Sequence, residues 1–294
     1  VQRAYGKRIA LFDATPKGVV CPHFYELRWA RGCPLSCSWC YLQLTLRIQG
    51  TRPECYPLDE VEKSLRLFFR KVQEPHLLNS GETSDSLMFP RVMERIADMF
   101  EAQNRHKLLI LSKLAKPRNV EWLLEKPRRQ TVVSFSINAA EVAERFERGA
   151  PPPRRRIREA ARLKRAGYEV RLRIDPIIPL DPSYAIYEEL LEDVFSSLRP
   201  DRITLGTLRV YPGLLRFASD EDWVGYLDRG RRCVDGRYRM SEEERVKAYL
   251  KVMDYAGRRF GYEAFSLCKE TEEVWRRLWM EGLKPRRNAC NCVL

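Results

Sequence analysis

Histidine is scarce in this chain: His23, His76 and His106 are the three among 294 residues. No two of them stand at ligand spacing, so they are assigned no metal or catalytic role. The sequence has no run of 18 or more apolar residues, which excludes a transmembrane helix, and no charged, apolar, small-residue leader. A cytoplasmic protein without a membrane partner is the expectation. No internal repeat occurs at a fixed period, and the one short biased stretch, Pro151-Pro152-Pro153, reads as a turn before a helix. A disulfide framework is missing too. The nine cysteines are odd in number and cluster near both ends, a pattern that in a cytosolic chain favours metal ligation.

What is present suits a globular enzyme. With 44% hydrophobic residues the chain can bury a sizeable core, as one large α/β domain or two smaller ones. Fifty-three Lys and Arg against 40 Asp and Glu leave a net charge of +13, which raises the local concentration of an anionic partner such as nucleic acid. The excess is spread along the chain. Its densest run, Arg154-Arg155-Arg156-Ile157-Arg158, opens a helix-like segment and reads as a solvated helix face rather than a phosphate track. A charged content of 32% fits a heat-adapted host equally well.

From about residue 24 apolar strand-like runs alternate with helical periods, the pattern of a parallel sheet with crossover helices. Strands are predicted at Phe24 to Trp29, His76 to Asn79, Leu108 to Ser112, Thr131 to Ile137, Glu169 to Ile174 and Arg202 to Leu208, and helices near 58–72, 89–104, 118–125, 152–166 and 184–198. Six β/α units fall short of the eight of a closed barrel. The expected fold is therefore an α/β open partial (β/α)6 barrel of TIM type over residues 1–210, with its reactive groups on the loops after the strand C-termini. A cysteine-containing C-terminal extension, 211–294, is expected to follow. It holds a long helix at about 241–260, started by the capping box Ser241-Glu242-Glu243-Glu244.

Directly after the first predicted strand stands Gly32-Cys33-Pro34-Leu35-Ser36-Cys37-Ser38-Trp39-Cys40-Tyr41-Leu42, a C-x3-C-x2-C spacing. Three thiolates this close can wrap one corner of a cubane 4Fe-4S cluster and leave the fourth iron without a protein ligand. S-adenosylmethionine can chelate that iron through its amino and carboxylate groups, so that one electron reaches the sulfonium and breaks a carbon–sulfur bond. Buried structural cysteines or a zinc knuckle are the plainer readings. Zinc, however, usually takes four ligands in paired C-x2-C arrangements, which this loop does not show.

The loop matches the radical SAM superfamily. In that superfamily the aromatic just before the last cysteine packs near the adenine, a role that falls on Trp39. Cys37-Ser38-Trp39-Cys40-Tyr41-Leu42-Gln43, Thr83-Ser84-Asp85, Ser136-Ile137-Asn138-Ala139 and Arg156 through Ala166-Gly167-Tyr168 further resemble the spore photoproduct lyase family, also called DNA repair photolyases. The resemblance spans about 25 to 210. It implies that Ser84, Lys113, Ser136 and Asn138 hold the carboxylate and ribose of S-adenosylmethionine, and that an electron donor such as flavodoxin or ferredoxin is a partner. Taken singly, each of these four reads more simply as a strand-end residue satisfying nearby backbone.

The sequence also departs from that family. The lyases carry a cysteine immediately before Thr-Ser-Asp that returns a hydrogen atom to the product radical, whereas this chain has Glu82 there. Ser80-Gly81-Glu82 looks instead like the Gly-Gly-Glu of other radical SAM enzymes, whose acid receives the ammonium of the cofactor. A carboxylate lacks the weak sulfur–hydrogen bond of a thiol. Repair of a thymine dimer is therefore not expected. Trp39 likewise stands where the lyases have a tyrosine proposed to relay the radical, although Tyr41 remains as a catalytic candidate.

Cys268, Cys290 and Cys292 form a second set in a polar segment with little apolar content. Short segments of this kind are often stapled by metal. A second iron–sulfur cluster, with an open iron or a fourth ligand from Cys21, Cys55 or Cys233, a zinc site, and three free thiols are the readings that remain. The substrate expected for the whole is a nucleic acid or nucleotide, with a peptide or small metabolite as the alternative, since no aromatic platform interleaves with basic residues. A noncatalytic iron–sulfur or zinc protein that binds nucleic acid is the reading from a different class.

Overall fold

The structure, a computed structural model, describes residues 4–46, 48, 50–216 and 222–294. Its main sheet holds nine strands, β1 (Ala4–Tyr5), β2 (Ile9–Phe12), β3 (Phe24–Leu27), β4 (Leu77–Asn79), β5 (Lys107–Ser112), β6 (Thr131–Ile137), β7 (Glu169–Ile177), β8 (Arg202–Thr207) and β9 (Phe265–Leu267), laid side by side in chain order without closing. β3 to β9 are parallel, and β1 and β2 add an antiparallel edge. All six predicted strands are present. The parallel sheet nevertheless runs one strand further than six, because β9 pairs with β8.

The crossovers are helical: α1 (Leu58–Lys71), α2 (Pro90–Glu101), α3 (Pro117–Glu125), α4 (Ala140–Phe146), α5 (Pro153–Arg165), α6 (Ala185–Ser197) and α7 (Glu242–Phe260), with α8 (Glu272–Met280) after β9. Strand alternation divides the sheet into two faces. Val133, Phe135 and Ile137 of β6 and Val170, Leu172 and Ile174 of β7 enter the large core shared with the helices. The intervening Ser134, Ser136, Arg171, Arg173 and Asp175 belong to the concave face. Over β6 and β7 that face is largely polar, whereas Leu77, Leu109, Leu111 and Val132 form a small apolar cluster on it, and the last described segment fills part of the polar side. Arg171 Nη1 donates to the carbonyl oxygens of Asn291 at 3.0 Å and Val293 at 2.5 Å. Segments on both sides of the boundary expected near residue 210 share hydrogen bonds, since Arg209–Val210 pairs antiparallel with Tyr238–Arg239.

Two details differ from expectation. The capping box of α7 is half formed: Ser241 Oγ accepts the Glu244 N–H at 3.2 Å, but the Glu244 carboxylate turns away to accept the Tyr184 hydroxyl at 2.8 Å. In the arginine run, Arg154, Arg155 and Arg158 are exposed as a solvated helix face should be, whereas Arg156 is fully buried. One helical turn places it inward. Its Nε donates to Pro151 O at 2.7 Å, and its Nη1 donates to Ser136 O at 3.1 Å and lies 2.5 Å from Glu147 Oε2. Removing one partner of a buried ion pair leaves the other charge uncompensated. Arg156→Met is expected to lower stability by about 3–5 kcal/mol, the usual cost of breaking such a pair, as read from urea unfolding.

Candidate active site

The chain leaves β3 at Leu27 and enters the cysteine loop through a tight point at Gly32, whose φ is +77°. A Cβ there would lie 2.4 Å from Arg52 O and 2.6 Å from Thr51 O. Glycine is thus required both by the left-handed backbone and by the close approach that lets the Cys33 N–H donate to Thr51 O at 3.0 Å. Further on, Ser36–Cys37 pairs antiparallel with Glu147–Arg148, and the Ser38 N–H donates to Phe146 O at 2.9 Å. Gln43, in the one-turn helix Leu42–Thr45, donates from Nε2 to the carbonyls of Cys37 at 2.8 Å and Ser38 at 3.1 Å. Backbone contacts therefore fix the loop.

Cys33, Cys37 and Cys40 line one cavity of about 460 Å³. Burial pushes the Cys37 thiol up to about 12 and raises those of Cys33 and Cys40. Thiolates at such positions need a positive partner, which a metal group supplies. Among the described residues no three His, Cys, Asp or Glu side chains close on a common point as a single ion requires. A cubane asks for something different, since each thiolate binds its own iron. Three thiols of one short loop facing one cavity are the donors that a cluster corner uses.

The other predicted residues distribute around this cavity. Trp39 lies on its wall, with its ring 5.5 Å from that of Phe146. Tyr41, also on the wall, donates its hydroxyl to the Glu82 carbonyl. The Glu82 carboxylate accepts from Asn79 Nδ2 at 2.9 Å, and Ser84 bridges to Gly32. Lys113 follows β5. Burial alone would lower its pKa, but Glu147, with Oε1 3.6 Å from Nζ, together with Cys37 and Cys40 outweighs this and raises it. Ser136 on β6 reaches the cavity as well. Asn138 is not brought to the wall. It is fully buried, donating from Nδ2 to Pro176 O at 2.8 Å and accepting the Ala139 N–H at 3.0 Å.

Cys268, Cys290 and Cys292 are 8%, 4% and 5% exposed and line the same cavity. Of the three cysteines considered as a fourth partner, Cys21 joins them, whereas Cys55 pairs across from Ala30 in a short ribbon and Cys233 sits in a turn closed on Arg237. Sequence reasoning did not single out Asp85, Arg173, Asp175 or Arg209. Asp85 accepts from Ser112 Oγ at 2.6 Å and from the Lys113 N–H at 2.8 Å, so it ties the loop after β4 to the end of β5. Asp175 takes both guanidinium nitrogens of Arg209 at 2.9 Å. Burial alone would raise its carboxyl, but Arg209, with Arg173 and Cys268, outweighs that and holds it below its ordinary range. The signal for Arg173 and Asp175 was the charged half of the alternation in β7.

A cavity at the C-terminal ends of a parallel α/β sheet, with three loop cysteines after its first parallel strand, has the architecture of a radical SAM enzyme. Residues 19–208 match the family model of spore photoproduct lyase, and this chain belongs to that family. It is 28% identical over 182 residues to spore photoproduct lyase of Bacillus subtilis (strain 168), and 26% identical over 179 residues to that of Geobacillus sp. (strain Y412MC61). These matches take in 60% and 59% of this chain and 52% of each relative, so the chain spans about half the length of the curated relatives it matches. Among solved structures, spore photoproduct lyase complexed with dinucleoside spore photoproduct superimposes with a TM-score of 0.68 at 22% identity, covering 83% of this chain and 75% of that one. A double mutant of spore photoproduct lyase with bound AdoMet and the same dinucleoside gives 0.67 at 21%, covering 87% and 79%. Streptococcus suis SuiB bound to S-adenosylmethionine gives 0.54 at 16%, covering 84% of this chain and 50% of that one. These structural likenesses support the fold.

Gly32→Ala tests how the loop is held. The added methyl collides with the carbonyls of Thr51 and Arg52, so iron uptake on anaerobic reconstitution is expected to fall severalfold while far-ultraviolet circular dichroism is retained. Unchanged iron content would show that the turn does not position the cysteines.

Proposed function

We propose that this chain is a radical SAM enzyme acting on a nucleic acid or nucleotide, and that it does not follow the hydrogen-return route of the lyases. The observation that carries the reading is the gathering of Cys33, Cys37, Cys40, Glu82, Ser84, Lys113 and Ser136 around one cavity. The cysteine thiolates would hold a 4Fe-4S cluster, which supplies one electron for the reductive cleavage of S-adenosylmethionine to a 5'-deoxyadenosyl radical. The rest is the work of side chains. Glu82, oriented by Asn79, accepts the ammonium of S-adenosylmethionine, and Lys113 and Ser84 face its carboxylate in charge-assisted and neutral hydrogen bonds. Ser136 offers a hydroxyl to the ribose, and Trp39 an apolar wall to the adenine. Filling of the cavity by cofactor and substrate would keep water from the radical and so limit side reactions.

Family membership, the net charge of +13 and the dinucleoside held by solved relatives support the substrate class. An electron donor of the flavodoxin or ferredoxin kind completes the requirements. Among the described residues no helix is long and apolar enough to cross a membrane.

Changing Cys33, Cys37 or Cys40 to Ala is expected to abolish 5'-deoxyadenosine formation from S-adenosylmethionine under reducing conditions. Full activity in all three variants would remove the basis of the reading. Glu82→Gln should weaken S-adenosylmethionine binding by about 1–3 kcal/mol, the range for a hydrogen bond to a charged group, measured by anaerobic titration. The position that would return a hydrogen atom holds a carboxylate. The reduced protein is therefore expected to form no intact thymine catalytically from spore-photoproduct DNA, and turnover rivalling a lyase would overturn the assignment.

A further inference from the structure

The second cysteine set is placed by two separate devices. The first is the antiparallel ribbon in which Val20 pairs with Glu270 and Val19 with Thr271. Continuing that register sets Cys21 opposite Lys269, next to Cys268. Its strand is locked from below, because the Glu270 carboxylate is fully buried, pairs with Arg245 and accepts the Tyr249 hydroxyl at 2.8 Å. The second device is Asn291. Its N–H donates to Thr204 Oγ1 at 2.9 Å, its Nδ2 donates to Ser134 Oγ at 2.7 Å and Leu172 O at 2.8 Å, and its Oδ1 accepts Thr204 Oγ1 at 2.8 Å. Arg202 Nη1 adds a bond to Cys290 O at 2.7 Å. Anchoring the residue between them commits Cys290 and Cys292 to the same cavity wall as Cys21 and Cys268.

Both charges surround the sulfurs, Arg173, Arg209 and Lys269 on one hand and Asp175 and Glu82 on the other. Arg209 Nη2 donates to Cys268 Sγ at 3.2 Å, and Arg173 Nη2 to Cys292 Sγ at 3.1 Å, with Asn79 Nδ2 a further 3.4 Å donor to Cys292. Arg173 Nε is buried without a hydrogen-bond partner. Arg209 is balanced by Asp175, but for Arg173 a neutral thiol is a weak acceptor, whereas a metal-bound thiolate is ordinarily stabilised by such a second contact. We propose that Cys21, Cys268, Cys290 and Cys292 bind an iron–sulfur cluster through four thiolates. Four cysteines can hold either a cluster or a zinc ion, and acid-labile sulfide distinguishes the two. With every thiolate position filled by protein, this second group has no iron open to substrate.

The site shares its cavity with the one proposed for S-adenosylmethionine, but its test can be run without that cofactor. The Cys33→Ala/Cys37→Ala/Cys40→Ala protein, reconstituted anaerobically with ferrous iron and sulfide, is expected to retain iron and acid-labile sulfide in comparable amounts, with sulfur-to-iron charge-transfer absorption. Adding Cys21→Ala should remove them, and adding Cys55→Ala instead should not. Absence of sulfide-bound iron in the triple variant, zinc in its place, or indifference to Cys21→Ala would overturn the proposal. The unmodified protein gives a reading that does not depend on any variant folding. Its reduced form should show two electron paramagnetic resonance signals, of which S-adenosylmethionine perturbs one. A single signal, wholly shifted by S-adenosylmethionine, would also overturn it.

Discussion

A carboxylate taken out of water costs several kcal/mol unless cations and hydrogen bonds replace its hydration, and Glu147 is such a group. It stands between Arg156 at 2.5 Å and Lys113 at 3.6 Å, while its backbone pairs with Cys37. Arg156 in turn holds the carbonyl of Ser136. One buried negative charge thus connects α5, the end of β5, the end of β6 and the cysteine loop. The loop has little regular structure of its own and takes its shape from this contact and from the turn at Gly32.

Around that fixed point the sheet works as a collecting device. Parallel strands all finish on one side, so each contributes a group to the same cavity: the cysteine loop after β3, Glu82 and Ser84 after β4, Lys113 after β5, Ser136 on β6, Asp175 on β7, Arg209 after β8 and Cys268 after β9. The polarity of the concave face follows from the same geometry. A cavity that must receive charged ligands cannot be packed with layered apolar side chains, and here part of its interior is occupied by the backbone of residues 290–293, held by Arg171 and Arg202.

Long apolar strands were legible because their pattern is strong over six or more residues, as in Lys107–Ser112 and Thr131–Ile137. β9 is three residues, Phe-Ser-Leu, and has no periodic signature until β8 is there to pair with it. The seven-residue α4 follows β6 after only Asn138 and Ala139, and is too short for its period to stand out. In the site, the spacing of Cys33, Cys37 and Cys40 carried its own chemistry. The choice of Cys21 over Cys55 and Cys233 could not be read from spacing, because it is made by a strand pairing between distant parts of the chain. Glu147 gave no sequence signal, since its importance lies wholly in what folds against it. Asn138 was named from resemblance, and its amide proves to be engaged with Pro176 and Ala139.

The ribbon between Val19–Val20 and Glu270–Thr271 has a kinetic consequence. Joining segments so far apart is an entropically expensive closure, and contacts of large sequence separation form late in folding. Cys33, Cys37 and Cys40 are gathered within eight residues of one loop and need no such closure. The two groups of thiols therefore depend on closures of different length, the loop on its neighbours and on Glu147, the second set on the pairing of both ends of the sheet. Without that ribbon nothing sets Cys21 beside Cys268, so the second set of thiols exists only where the two ends of the fold meet.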